Sequence, residues 1–318
     1  MNNPANKVSG VGALSFLMAR PYLLLVLAPV FWGGNISAGK LAVGNVDPYL
    51  LTLGRWSGAL LILLPLALPH VIADWKFIRP KLPLLAMFGF FGFTGFNVLL
   101  YNSSLYTSAI NGSIEQASIP VFVLIGNLIL FGTRPKPLQV LGLILTITGV
   151  IWVATRGVPA TLLSLRLNIG DAMVILACLL YAAYSLALRY KPKTHWLSFL
   201  AVTAFFALIA AFMAQAFIGG GLEELSELLP QTTPLGWLLI IYVMIFPSIL
   251  AQLFYARGVE MIGPNRASIF INLLPVFGTV ISVLIVGETF QFFHLVAAIL
   301  VVLGIIFSEF STRAPMNS

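Results

Sequence analysis

The chain has 318 residues, of which 59% are hydrophobic and 8% are charged. A soluble domain carries roughly 25% charged residues, so the composition excludes an ordinary soluble protein. The net charge of +7 would be compatible with nucleic-acid binding in a soluble protein. Here, however, the basic residues lie at the ends of apolar runs, which is typical of membrane topology, and we expect no nucleic-acid partner.

Ten apolar runs follow one another along the chain, and each is long enough to cross a bilayer as a helix. The runs cover 22–40, 48–69, 82–102, 108–131, 137–155, 168–188, 194–218, 234–256, 265–286 and 291–310. The links between them are short and hold most of the charge. The sequence therefore predicts an all-α membrane protein with ten transmembrane helices.

The distribution of basic residues predicts the orientation. If the N-terminus is cytoplasmic, thirteen of the seventeen Lys and Arg residues lie on the cytoplasmic side. Lys40, Arg156 and Arg166 lie outside, and Arg55 lies within a run. This bias predicts a multi-pass protein of the cell membrane, with a bacterial inner membrane as the expected location and both termini cytoplasmic. The segment before Arg20 lacks a clear cleavage site, so we expect the first run to remain as a helix.

Two halves of the chain resemble each other. Pro120-Val121-Phe122 recurs 155 positions later as Pro275-Val276-Phe277. Two further pairs share this offset, namely Gly132 with Gly287 and Gly149 with Gly304. Because each copy contains an odd number of spans, the second copy must enter the membrane with the opposite orientation. Two inverted five-helix repeats are typical of secondary transporters.

We therefore divide the chain into four parts. Residues 1–21 form an N-terminal tail, 22–156 the first repeat, 168–310 the second repeat and 311–318 a C-terminal tail. Pro120 and Pro275 lie at matched positions inside the fourth and ninth runs, where each removes an intrahelical hydrogen bond. Matched helix interruptions indicate a central site, although a proline kink can also serve packing alone.

The second half resembles the C-terminal signature of the EamA family in the drug/metabolite transporter superfamily. The features that carry the resemblance are Pro275, Gly287-Glu288 and Gly304, together with Phe31-Trp32-Gly33-Gly34-Asn35 and Arg55 in the first half. The resemblance covers about residues 22–310. It implies ten helices, a central cavity between the halves and export of metabolites or drugs by alternating access. The first repeat departs from the pattern, because Gly132-Thr133 stands where relatives have Gly-Glu.

Two charged residues stand out deep inside predicted spans, where insertion of a charge costs about 2.5–3.5 kcal/mol. Arg55 and Glu115 each lie about seven residues from the outer end of their run, roughly 10 Å deep. They are candidates for an ion pair. Alternatively, Glu115 exchanges a proton or binds a cationic group. Burial and a nearby guanidinium act in opposite directions on a carboxyl group, so the sequence leaves its protonation state open.

Uncharged polar and aromatic residues within the spans are candidates for a substrate cavity, which we expect to be mostly apolar with a few hydrogen-bonding groups. They are Trp32, Asn35, Asn97, Tyr101, Gln116, Tyr181, Tyr184, Gln252, Tyr255 and Asn272. Trp32, Tyr181 and Tyr184 are candidates to stack on a planar or cationic substrate. Each of these residues also suits an ordinary packing or interhelical hydrogen-bonding role.

The sequence predicts a secondary transporter, most simply an exporter of amino acids, related organic compounds or drugs. An importer, an exchanger or a channel remains an alternative. The chain has no P-loop and no nucleophile-elbow motif, and its one cysteine, Cys178, lies in an apolar run. We therefore expect no enzyme, cofactor or metal. The expected partners are a small-molecule substrate and the lipid bilayer, with the chain as a monomer or homodimer.

Overall fold

The computed structural model describes residues 16–158, 168–263, 267 and 270–313. Within these ranges the chain is helical and forms no β-strand. The main helices are α1 Pro21–Ala42, α2 Pro48–Ile78, α3 82–103, α4 Ala109–Phe131, α5 Pro137–Ala154, α6 Ile169–Tyr190, α7 Trp196–Phe217, α8 Pro234–Ile262, α9 Leu274–Val286 and α10 Phe292–Arg313. A short helix, Leu225–Gln231, connects α7 to α8.

The lengths and surfaces of these helices suit a bilayer. In the described part of the chain, seven helical stretches are long and apolar enough to cross a membrane. The longest, Pro48–Ser103, contains both α2 and α3, and α9 and α10 are shorter apolar helices. Large apolar side chains on the outer surface, such as Leu61 and Phe217, are 76% and 80% exposed. Lipid is the solvent that accommodates such a surface, so the chain is a multi-pass membrane protein.

Two of the predicted boundaries are wrong. The second run was expected to end at 69, but α2 continues to Ile78 with Pro65 and Pro69 inside it. A proline removes one backbone hydrogen bond, and a long packed helix accommodates that loss without ending. The eighth run was expected to end at 256, but α8 continues to Ile262. The start of the ninth run, at 265, lies outside the described residues.

Local capping explains where several helices begin and end. Asp47 starts α2, because its carboxylate accepts hydrogen bonds from the backbone N–H groups of Tyr49 and Leu50 at 2.8 and 3.0 Å. Matched glycines end α4 and α9, where Gly132 and Gly287 adopt φ values of 66° and 77°. Glycine is the residue that reaches this left-handed conformation without strain.

The two halves pack against each other in a reciprocal pattern. Helix α2 packs on α7, and α5 packs on α10. Both pairs are antiparallel, because Asp74 near the end of α2 bonds to Ser198 at the start of α7, and Gly142 near the start of α5 meets Gly304 in the second half of α10. Helix α1 of the first half packs on α8 and α9, while α6 of the second half packs on α3 and α4. The α5–α10 interface depends on small residues, since a Cβ at Gly142 would lie 2.4 Å from the carbonyl oxygen of Gly304. Reciprocal contacts of this kind are what a two-fold relation between the halves produces.

The connections lie at two ends of the bundle. One end, called the basic end, contains the connections 79–81, 132–136 and 191–195. At this end Asp74 accepts hydrogen bonds from the start of α7. The opposite end, called the Glu288 end, contains the connections 43–47, 104–108, 155–158, 218–233 and 287–291. At this end the Thr233 hydroxyl donates a hydrogen bond to Asn45 Oδ1 at 2.7 Å.

Candidate functional site

A cavity of about 110 Å³ lies between the two halves. Helices α1–α4 line it from the first half, and α6, α8, α9 and α10 line it from the second. Its polar and charged lining residues are Asn35, Arg55, Asn97, Gln116, Gln252 and Asn272. Its main apolar and aromatic lining residues are Trp32, Trp56, Phe93, Phe96, Tyr181, Ile271 and Ile305. A mostly apolar wall with a few converging polar groups is typical of a small-molecule site.

Two interrupted helices contribute to this cavity. Helix α4 consists of Ala109–Glu115 and Ser118–Phe131, separated by a turn at 116–117. Helix α9 begins at Leu274, directly after a turn at 272–273. Pro120 lies three residues after the first turn and Pro275 lies two residues after the second, and both prolines line the cavity. The turns themselves supply Gln116 and Asn272, so one amide side chain from each half reaches the same space.

A second matched irregularity was not predicted. Helix α3 is wound as a π-helix over Phe88–Gly95, and its counterpart in the second half, α8, is wound the same way over Phe246–Leu250. Gly92 and Phe93 of the first segment line the cavity, and Gln252 follows the second. Short π-helical segments occur frequently at functional sites. Pro247 in the second segment and three glycines in the first were the available sequence signals.

Arg55 is buried at the cavity wall, with 5% of its surface exposed. Its Nη1 donates hydrogen bonds to Asn35 Oδ1 at 2.8 Å, Asn97 Oδ1 at 2.8 Å and the Tyr101 hydroxyl at 2.6 Å. Tyr101 in turn donates to Asn35 Oδ1 at 2.7 Å. Arg55 Nε has no hydrogen-bond partner within the described residues. The guanidinium is therefore held by neutral groups.

The ion pair between Arg55 and Glu115 that the sequence allowed is not formed. The ion pair found among the described residues is Arg257–Glu260, at 3.0 Å on the surface. Glu115 is fully buried on α4, and its carboxyl group interacts with the carboxyl group of Asp171. The side chains of Arg55 and Glu115 face different neighbours.

The neighbour of Glu115 is Asp171, in the first turn of α6. The Asp171 carboxylate accepts a hydrogen bond from the Thr107 hydroxyl. Thr107 also contacts the Asn111 amide, and Asn111 Oδ1 lies 3.1 Å from His294 Nε2. These side chains connect Glu115 to a groove at the Glu288 end, which Thr107, Asn111 and His294 line. Sequence reasoning missed Asp171, although an acidic residue inside an apolar run was the signal.

The aromatic candidates separate into two groups. Trp32 lines the cavity, and its indole N–H donates to the carbonyl oxygen of Pro247 at 3.1 Å. Tyr181 also lines it and packs on Phe96 at 5.3 Å between ring centroids. Tyr184 and Tyr255 lie behind this wall, where they contact Tyr181 and Trp32 respectively. These two tyrosines support the lining.

Seven of the ten candidate cavity residues line the cavity, as do Arg55, Pro120 and Pro275. The seven are Trp32, Asn35, Asn97, Gln116, Tyr181, Gln252 and Asn272. Tyr101, Tyr184 and Tyr255 lie next to it. Glu115 is one residue before Gln116 and points away from the cavity, toward α6.

Glu288 has a structural environment that the sequence did not reveal. Its two carboxylate oxygens accept hydrogen bonds from the backbone N–H groups of Ala109 and Ile110, at 2.8 and 2.9 Å. A carboxylate at a helix N-terminus satisfies free backbone donors and interacts favourably with the helix dipole. Glu288 of the second half therefore caps α4 of the first half.

Comparison with known proteins gives a family. A sequence profile described as "EamA-like transporter family" matches residues 19–155 and again residues 168–310. The transporter YyaM of Bacillus subtilis, described as uncharacterized, is 26% identical over 296 residues, which cover 92% of this chain and 95% of that protein. An uncharacterized transporter of Archaeoglobus fulgidus is 23% identical and covers 90% and 96% respectively.

A solved structure has the same fold. A chain titled "Crystal structure of protein" superposes with a TM-score of 0.61 at 16% identity, covering 94% of this chain and 99% of that chain. At this identity the likeness concerns the fold alone.

Proposed function

Because the chain belongs to the EamA-like transporter family, we propose that it is a secondary active transporter that exports small metabolites by alternating access through the central cavity. The observation that carries this proposal is the cavity itself, which both halves line and where the interrupted helices α4 and α9 meet. Discontinuous helices at a repeat interface are typical of transporter binding sites. The proposed substrates are amino acids, related organic compounds or drugs.

The proposed topology has ten spans in two inverted repeats, 22–156 and 168–310. The Pro48–Ser103 stretch counts as two spans, because Arg55 in α2 bonds to Asn97 and Tyr101 in α3, so the chain turns back between them. Helices α9 and α10 complete the second repeat. The basic end faces the cytoplasm of a bacterial inner membrane, as the positive-inside rule requires, and both termini lie on that side.

Glu115 is the proposed coupling group. It is a fully buried carboxyl group whose neighbour is the carboxyl group of Asp171. The polar series Asp171, Thr107 and Asn111 connects it to the groove at the Glu288 end. Buried ionisable groups inside spans are typical of proton relays. Exchange of a proton at Glu115 would couple substrate movement to a proton gradient.

Reconstitution into proteoliposomes tests the transport proposal. Vesicles are loaded with a mixture of amino acids, organic acids and nucleosides, and efflux is measured by mass spectrometry with and without a proton gradient. We expect saturable, gradient-dependent flux of a subset of the mixture. Electrical conductance at channel rates would instead support a channel, and an absence of flux above that of empty liposomes would contradict the proposal.

A matched pair of variants links flux to the cavity. Ala117→Phe places a ring into the cavity wall on α4, and we expect it to abolish flux. Ile129→Phe adds a ring to the same helix at a position that is 74% exposed, and we expect it to leave flux unchanged. If both variants retained the flux of the unmodified protein, substrate would not pass through this cavity.

A further inference from the structure

The charge of Arg55 has no carboxylate partner in the described part of the chain. Its hydrogen-bond partners, Asn35, Asn97 and Tyr101, are neutral. The ring of Trp56 lies 5.0 Å from the guanidinium carbon, and Tyr242 on α8 is near enough to interact with it electrostatically. Each group that faces Arg55 from α1, α2, α3 and α8 is therefore uncharged or aromatic.

The acidic residues that could have balanced this charge are engaged elsewhere. Glu115 lies beside Asp171, Glu288 caps α4 and Asp47 caps α2. A buried charge inside a membrane usually has a partner of opposite sign. Here the space beside Arg55 is the cavity, and Arg55 Nε has no partner among the described residues. The missing negative charge is therefore expected from a molecule that enters the cavity.

The shape of the guanidinium and the cavity wall narrow the chemistry of that molecule. A guanidinium binds a carboxylate through charge-assisted, frequently bidentate hydrogen bonds. The rest of the wall includes the rings of Trp32, Phe93, Phe96 and Tyr181, together with aliphatic side chains. These rings suit an apolar or aromatic body. A second charged group on the molecule would find no partner of opposite charge in the wall, because the other polar lining groups, Gln116, Gln252 and Asn272, are neutral amides.

We propose that the transported substrates are small organic anions, in which a carboxylate binds Arg55 and an apolar or aromatic body lies against the ring-lined wall. This inference rests on the proposed function and assigns a substrate class to the same cavity. Arg55 acts as the group that selects for negative charge. The amides of Gln116, Gln252 and Asn272, which also line the cavity, provide hydrogen bonds to the rest of the molecule.

Three probes of nearly equal size and different charge test this inference. Phenylacetate carries a carboxylate, phenylacetamide is its neutral counterpart and phenethylamine is a cation. Binding to the full-length purified chain is measured by isothermal titration calorimetry. Because hydrogen bonds to a charged group are stronger than neutral ones, we expect phenylacetate to bind at least about tenfold more tightly than phenylacetamide. Equal affinities, or no binding of phenylacetate, would overturn the inference.

Variants assign the preference to Arg55. Arg55→Gln removes the charge, and we expect it to abolish the preference for phenylacetate. Arg55→Lys retains a charge, and we expect it to retain a weaker preference. The control Arg257→Gln removes one positive charge from a surface ion pair and should leave the preference unchanged. If Arg55→Gln does not fold, the affinities of the three probes are compared between Arg55→Lys and the unmodified chain. An equal preference for phenylacetate in both would contradict the role of Arg55.

Flux separates this inference from the proposed function. Transport of neutral or cationic compounds without transport of carboxylates would contradict the substrate class and leave the transporter proposal intact. Selective binding of phenylacetate without flux of any compound would contradict the transporter proposal and leave the anion site intact.

Discussion

At the scale of single residues, Glu115 and Arg55 show how two charged groups with a similar predicted depth can have different neighbours. Depth within a span can be predicted from sequence, because each residue adds about 1.5 Å along a helix. The direction in which a side chain points depends on how the helix is rotated against its neighbours. That rotation places Arg55 beside Asn35, Asn97 and Tyr101, and it places Glu115 beside Asp171. The individual residues were therefore predictable as candidates, but their partners were not.

Glu115→Gln tests the proposed coupling role. The substitution preserves size and removes the exchangeable proton, so we expect flux in proteoliposomes to lose its dependence on pH while the protein remains folded. The measurement is the initial rate of substrate flux at several external pH values. Glu227→Gln, at an exposed position in the link before α8, is the control and should retain the pH dependence. Unchanged pH dependence in Glu115→Gln would exclude this carboxyl as the coupling site.

Trp32 and Tyr184 give a prediction about affinity. The sequence suggested that Trp32 and Tyr184 both stack on the substrate, but only Trp32 of the two lines the cavity. We now expect Trp32→Ala to raise Kd, because it removes an aromatic ring from the cavity wall. Tyr184 packs closely against Gly92, so Tyr184→Ala should lower stability by about 3–5 kcal/mol. Calorimetric binding and thermal unfolding of both variants check this, and a normal Kd for Trp32→Ala would remove the aromatic wall from the binding site.

Glu288 illustrates a residue whose role follows from tertiary structure. Its two hydrogen bonds to the start of α4 cross between the repeats, so no local sequence pattern reveals them. Glu288→Gln keeps one acceptor oxygen and loses the charge, and we expect it to lower stability by about 1–2 kcal/mol. The midpoint of thermal unfolding in detergent measures the loss. Glu223→Gln, an exposed substitution, should leave the midpoint unchanged, and equal midpoints for all three proteins would contradict the capping role.

At the scale of helices, hydrophobicity located the apolar elements well, because lipid requires long helical segments of predictable composition. Irregular winding was harder to predict. Pro120 and Pro275 lie three and two residues after a turn, but Pro65 and Pro69 lie within the continuous helix α2. Whether a proline interrupts a helix depends on which groups replace the lost hydrogen bond. The π-helical segments of α3 and α8 depend on the same tertiary contacts.

The α5–α10 interface provides a prediction at this scale. A Cβ at Gly142 would lie 2.4 Å from the backbone oxygen of Gly304, so a larger side chain must force the two helices apart. We expect Gly142→Leu to lower stability by at least about 1–3 kcal/mol, the usual cost of overpacking. The control is Ile144→Leu, since Ile144 lies on the same helix and is 54% exposed. Equal thermal unfolding midpoints for the two variants would show that the small-residue contact is not needed.

At the scale of the whole molecule, the reciprocal packing of the halves explains why both repeats are needed for one cavity. Neither half closes the cavity alone, because α1–α4 supply one part of the wall and α6 and α8–α10 supply the rest. The duplicated prolines and glycines indicated this relation from sequence. They did not indicate which helices exchange contacts, since the pairing of α1 with α8 and α9, and of α6 with α3 and α4, arises only when the halves assemble.

Orientation in the membrane is the prediction that belongs to this scale. Positive charge is concentrated at the basic end, so this end should face the cytoplasm, and the link between α7 and α8 should face the opposite side. Lys193 and Ser226 are exposed at these two ends. The native Cys178 is fully buried, so single cysteines introduced as Lys193→Cys and Ser226→Cys can be compared against a low background with a membrane-impermeant maleimide. In intact cells we expect Ser226→Cys to be labelled and Lys193→Cys to be labelled only after the membrane is permeabilised. Labelling of both positions in intact cells would place the two ends on the same side, which is incompatible with inverted repeats around a shared cavity.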